Sequence, residues 1–136
     1  MIAATAIALS GALAQTGRVA AAASNLANQQ SAGALPAADG TIPAGKTAAY
    51  QPVSAATVAQ PGGGAVTGYR PVSPAVLASA DPSSPQANAQ GLVAAPNVDS
   101  GRELLTLTSA GNAYKASLAV LKTADEMQRE VLNLTA

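Results

Sequence analysis

Gly40, Gly45, Lys46 and Thr47 stand at the spacing G-x-x-x-x-G-K-[ST]. In a phosphate-binding loop this pattern curls backbone N–H groups round phosphates, aims the lysine at the terminal phosphates and offers the threonine hydroxyl to magnesium. That chemistry needs a buried strand before the loop and a helix after it. Here Leu35, Pro36, Ala37, Ala38 and Asp39 precede it and make no strand, Pro43 removes one N–H donor, and Pro52 stops any helix that follows. The match reads as a chance loop; a nucleotide-binding enzyme acting through residues 40–47 is the alternative, separable by Lys46→Ala. Asn133, Leu134 and Thr135 fit an N-glycosylation acceptor but fall inside a helical pattern, where they read as packing. The chain has no His and no Cys, so imidazole bases, thiol nucleophiles, disulfides and the usual zinc sets are absent. Its serines have no activating partner, and no carboxylate pair is placed for acid–base work. The expectation is a chain that is not an enzyme, with no cofactor, no metal and no small-molecule substrate.

Without a reactive centre, the chemistry left is that of packing. Of 136 residues 49% are hydrophobic, yet only 2% are aromatic, so the apolar share is largely Ala. Burying Ala methyls stabilises far less than burying Leu or Phe, and a thick private core is hard to build. Seven basic residues balance seven acidic ones. With no basic excess to neutralise phosphates, nucleic acid is not an expected partner.

Three segments divide the chain. Residues 1–28 carry a single charge, Arg18, and no Pro. Residues 29–100 hold all nine Pro and eight of the twelve Gly, and residues 101–136 hold eight of the fourteen charges and no Pro. In the first segment Ile2, Ala6, Leu9, Leu13, Thr16, Ala20, Ala23 and Ala27 alternate in steps of four and three, the seam of a coiled-coil-like helix. Gly11 and Gly17 weaken it by about 1 kcal/mol each, so it needs a partner. Ala12 and Ala14 before Gln15 mimic a signal cleavage site, but no Lys or Arg precedes the apolar run, and a retained amphipathic helix is expected. In the last segment Ser100 and Glu103 have capping-box spacing, with Asp99 adding negative charge. Beyond them Ala110, Ala113, Ser117, Val120, Ala124, Met127, Val131 and Leu134 form one seam. Leu104, Leu107, Tyr114, Leu118, Leu121 and Leu132 form a second beside it, a stripe wide enough for more than one neighbour. The middle is rich in turn signals and reads as mostly irregular, with residues 65–69 and 92–94 able to form strands. The fold class expected is mainly α: long N- and C-terminal helices packed as a coiled-coil-like pair, with a Pro/Gly-rich irregular middle.

One constellation stands above the rest. Ala22, Ala23, Ser24, Asn25, Leu26, Ala27 and Asn28 close the first helix, and an Asn at a helix–helix contact can fix register between subunits. With this run, the chain resembles the bacterial flagellar axial proteins, and within them the proximal rod type. Asp81, Pro82 and Pro85 followed by Ala89, Gln90, Gly91, Leu92 and Val93 resemble the segment before the family's second helix. Pro96, Asn97, Val98 and Asp99 with Glu103 and Leu104, then Ser109 with Tyr114, Lys115 and Ala116, resemble its C-terminal motif. The resemblance is loose between residues 29 and 80, and Ser117 stands where the family usually has Asn.

The resemblance implies a non-catalytic subunit that keeps its N-terminus, is exported by the flagellar type III apparatus and self-assembles through its terminal helices. It implies a place in the periplasm-spanning rod of the flagellar basal body, carrying torque among copies of itself and other rod proteins. Ser24, Asn25, Leu26, Asn28, Asn97, Asp99, Tyr114 and Leu118 are the expected assembly residues. A secreted, mostly disordered surface protein with a mature N-terminus at Gln15 is a further alternative.

Overall fold

The computed structural model describes residues 2–134; Met1, Thr135, Ala136 and the side chain of Ile2 lie outside the description. The glycosylation-like triplet therefore falls partly outside it, with Asn133 and Leu134 exposed on the last helix. Helix α1 covers Ile2–Ala27 and helix α2 covers Ser100–Leu134. Between them lie four strands: β1 Val53–Ala59, β2 Ala65–Pro71, β3 Val76–Ala80 and β4 Leu92–Pro96. They form two two-stranded sheets, β1 with β2 and β3 with β4. The architecture is mixed α and β. This corrects the expectation of a mainly α coiled-coil pair round an irregular middle. The turn signal at residues 61–64 is a hairpin turn between β1 and β2: Gln60 N–H donates to the Gly64 carbonyl (3.1 Å), and Gly62, Gly63 and Gly64 hold φ of +92°, +98° and +90°. Residues with side chains rarely adopt such angles.

The chain divides into two compact units, one of Met1–Ala21, Ala55–Tyr69 and Leu104–Ala136, the other of Ala22–Ser54 and Arg70–Glu103. In the first unit α1 and α2 run antiparallel, with Ala4 near Ala124 and Thr16 near Gly111 lining shared grooves. They approach through small residues. A Cβ on Gly11 would lie 3.4 Å from Ser117 Oγ, and Ala8, Ala12, Ala14 and Ala110 are buried. The Ala6–Leu9–Leu13–Thr16–Ala20 seam expected to be the packing face is instead exposed, with Leu9 and Leu13 at 51% and 61%. Close backbone approach over Ala and Gly gains dense van der Waals contact, and this chain spends its small face on itself. On α2, Ala110 and Ala124 of the first expected seam are buried, whereas Val120, Met127, Val131 and Leu134 are exposed. Asp125–Arg129 (3.0 Å) and Lys122–Glu126 (3.7 Å) pair on the solvated side, worth a few tenths of a kcal/mol each.

In the second unit β3 and β4 pair antiparallel, from Val76 opposite Pro96 to Ala80 opposite Leu92. The connection after α1 is tied to this hairpin. Gly33 and Ala94 exchange both backbone hydrogen bonds (2.9 and 2.8 Å), and Ala34 N–H donates to the Thr47 carbonyl at 2.8 Å. Gly33 is required there, because any Cβ would run into the backbone of Ala48 and Ala49. Ala22, Asn25, Ala34, Pro52, Val93 and Ala94 make the core of this unit.

The start of α2 also departs from expectation. Asp99 is the cap: its Oδ1 accepts the Arg102 N–H at 3.1 Å, and its carbonyl accepts the Glu103 N–H at 3.0 Å. Ser100 and Glu103 make no reciprocal box. Ser100 Oγ donates to Gln29 Oε1, and the Glu103 carboxylate is drawn to Asn25. A carboxylate one residue earlier serves the helix N-terminus equally well, which frees Glu103 for a buried partner.

Candidate functional site

Asn25 sits in the last full turn of α1 and has no solvent exposure at all. Its amide nitrogen donates to the Val53 carbonyl and to Glu103 Oε1, both at 2.8 Å. Its amide oxygen accepts the Tyr50 hydroxyl at 3.0 Å and the Val53 N–H at 3.1 Å. All four hydrogen-bonding positions of an amide are thus filled. Towards Val53 the side chain behaves like a strand residue, pairing with both N–H and C=O at the first position of β1. One buried amide therefore ties the end of α1, the start of β1 and the first turn of α2. No valence remains for a ligand or a proton transfer, so the cluster is a structural clamp.

The neighbouring signature residues support it. Ser24 Oγ lies 3.0 Å from the Tyr50 hydroxyl, and Asn28 Nδ2 donates to the Ser24 carbonyl at 2.9 Å, closing the end of α1. Leu26 is half-buried and Ala27 exposed. Asn97 belongs to the same unit; its N–H donates to Ala75 O and its Nδ2 to Pro74 O, both at 2.9 Å. With Asp99 it lines a small cleft alongside Ser54, Val72, Arg102 and Glu103. The structure thus brings Ser24, Asn25 and Asn28 into one network. Tyr114 and Leu118 belong to the other unit, Tyr114 half-buried in the groove by Thr16, Val19 and Ala20, Leu118 43% exposed. Tyr50 and Val53 were not legible as partners. The one available signal was Tyr50 itself, one of only three tyrosines in the chain.

The phosphate-loop pattern has no such support. Gly40 and Gly45 do turn at φ +81° and +77°, but no strand precedes the loop and no helix follows it. The Lys46 amine donates to the Ala87 carbonyl and the Thr47 N–H to Gln86 Oε1, so the groups a phosphate would need are already engaged. Thr41 donates its hydroxyl (2.7 Å) and its N–H (3.0 Å) to Asp39 Oδ1, which holds that exposed carboxyl below its ordinary range. A carboxylate there is hostile to phosphate. Lys46→Ala is expected to change stability by no more than about 1 kcal/mol, and Mg-nucleotide is expected to leave the melting temperature of both forms unchanged in a calorimetric titration. A shift on adding nucleotide that Lys46→Ala abolishes would revive the enzyme reading.

Comparison with known proteins bears on the same residues. Residues 89–134 match the family model described as the flagellar basal body rod FlgEFG protein C-terminal region, a span that takes in Asn97, Asp99, Tyr114 and Leu118. The flagellar basal-body rod proteins FlgC of Escherichia coli O6:H1 and of Escherichia coli O157:H7 are each 36% identical over 134 residues, covering 94% of this chain and 92% of theirs. That of Salmonella typhimurium is 35% identical over the same coverage. Two terminal helices, a clamp with no catalytic valence and an end-to-end likeness to these relatives lead to one assignment: the chain belongs to the FlgC family of flagellar basal-body rod proteins.

Proposed function

We propose that this chain is a structural subunit of the proximal rod of the flagellar basal body, and that it self-assembles through its terminal helices to carry torque. The observation that carries this reading is which face of each helix the fold leaves open. Small residues of α1 and α2 are spent within the chain, whereas Leu9 and Leu13 on α1 and Leu118, Val120 and Met127 on α2 are all more than 40% exposed. An apolar groove of about 620 Å³ runs between the helices by Ala4, Ile7, Gly11 and Val120. Large aliphatic side chains in a row on a small protein mark a surface that becomes buried on association. Contacts between unlike faces of successive copies do not close, and so build a tube or filament.

The partners are copies of this chain and other rod proteins, and delivery is by the flagellar type III export apparatus with the N-terminus retained. No nucleic acid and no small-molecule substrate enters. The test is co-assembly: purified chain mixed with the other rod proteins is expected to give rod-like particles in electron micrographs. Chain that stays soluble and unassociated in that mixture overturns the proposal. Mass spectrometry of the chain recovered from cells is expected to show the original N-terminus; a chain beginning at Gln15 would favour the secreted reading instead.

A further inference from the structure

Each two-stranded sheet has two outer edges, and the fold occupies one and leaves the other open. In the second unit the Ala75 carbonyl accepts the Asn97 N–H (2.9 Å), and the Asp81 N–H donates to the Gly91 carbonyl (3.0 Å). Backbone direction alternates along an antiparallel strand. Within β3, therefore, Leu77 and Ser79 bond to β4, while Val76, Ala78 and Ala80 turn their N–H and carbonyl groups away from it. The far side of β4 is taken by Gly33, which exchanges both bonds with Ala94. The far side of β3 is open: among the described residues no hydrogen bond reaches the backbone of Val76, Ala78 or Ala80. In the first unit the Ala65 N–H of β2 goes to Ser10 Oγ of α1 (3.1 Å). On β1, Val53 turns both backbone groups to Asn25, so Ala55, Thr57 and Ala59 face the same outer side. Among the described residues no hydrogen bond from outside the hairpin reaches their backbone.

Open edges are normally guarded by charged side chains or proline, because bare backbone groups pair with any strand that meets them. Neither edge here is guarded. Residues 55–59 are Ala, Ala, Thr, Val and Ala, and residues 76–80 are Val, Leu, Ala, Ser and Ala. Both runs are uncharged, both span about 13 Å, and Thr57, Ala59, Ala78 and Ala80 are exposed. We propose that β3 of one copy pairs edge to edge with β1 of the next, through main-chain hydrogen bonds that add a strand to each sheet. An edge with alternate outward N–H and carbonyl groups fits an extended backbone of the same spacing, and β1 is the strand of this chain that offers one. Pairing of unlike edges leaves every copy with its other edge free, so it propagates; β3 against β3 would close into a pair and stop. The pairing rests on the self-assembly proposed above and names the strands through which it runs.

The chain has no cysteine, so single introduced cysteines report the contact. Full-length Ala78→Cys is mixed with isotope-labelled Thr57→Cys and treated with a short bis-maleimide, and the products are identified by mass spectrometry. The mixed cross-link is expected to exceed by about tenfold the yield from Ala78→Cys with Ala44→Cys, an exposed turn position. Absence of that excess overturns the proposal. So does a product dominated by Ala78→Cys joined to itself, the mark of like edges pairing. Ala78→Pro gives a second reading. It removes an N–H that has no partner inside the chain, a change that an edge strand tolerates. It is expected to weaken self-association about tenfold in sedimentation equilibrium and to leave urea unfolding unchanged. A folded Ala78→Pro chain that associates like its parent overturns the pairing; where the proline disrupts folding, the cross-link decides. Both readings use this chain alone, so their failure is distinct from a failure to co-assemble with other rod proteins, which would remove the rod reading instead.

Discussion

Asn25→Ala is expected to destabilise the chain by about 3–5 kcal/mol, among the largest single-residue effects a domain this size shows. The reason is that the amide leaves four partners behind. The Val53 N–H and carbonyl, the Tyr50 hydroxyl and one Glu103 oxygen would each lose a bond of 2.8–3.1 Å, and a buried polar group left without a partner costs about 1–3 kcal/mol. Water entering the space would recover part of this, which keeps the sum below four full penalties. Urea unfolding followed by far-ultraviolet circular dichroism measures it. Asn25→Asp is expected to be nearly as harmful, because a carboxylate can accept from Tyr50 and Val53 but donates to neither the Val53 carbonyl nor Glu103. A loss below about 1 kcal/mol for the alanine variant would mean that the clamp contributes little and that Asn25 matters, if at all, at a surface between subunits.

Leu118→Asp is expected to separate assembly from folding. Leu118 is 43% exposed, so a carboxylate there stays hydrated in the free chain and should change its stability by less than about 1 kcal/mol. In a rod it would enter an apolar contact between helices. Burying a charge without a partner costs several kcal/mol, which weakens a single contact by more than about a hundredfold. Cells carrying this variant as their only copy should be non-motile, with the protein present at normal abundance. Normal swimming would remove Leu118 from the interface. Leu26→Asp should also abolish motility, but Leu26 is half-buried beside the clamp, and reduced abundance is expected to accompany the loss.

Both helices could be found from the residues because their evidence is local. Periodic apolar positions, the charge-poor start and the charged, Pro-free end lie within each segment, and Ile2–Ala27 and Ser100–Leu134 follow from them. Residues 65–69 and 92–94, rich in β-branched and apolar side chains, lie inside β2 and β4. The Ser24–Asn25–Leu26–Ala27–Asn28 run stood out as well, since polar side chains seldom interrupt an apolar helix without a task. The role of Asn25 did not. An amide can be satisfied by any donors and acceptors brought to it, and those here come from 25, 28 and 78 residues away. Nothing near Asn25 in the chain names them.

Which face of each helix turns inward was decided only by the tertiary fold. Periodicity ranks positions by hydrophobicity and so favoured Leu9 and Leu13 over Ala8 and Ala12. Packing rewarded closeness instead, and the small residues went inside while the large ones were left out. The middle followed the same logic. Its glycines and prolines mark bends wherever they occur, but whether a bend joins paired strands depends on hydrogen bonds to distant backbone. Gly33 meeting Ala94 and Thr67 meeting Ala14 are such bonds. Helix formation and charge placement are written in neighbours along the chain. Facing, pairing and the closure of the amide clamp come from residues that are neighbours only in space.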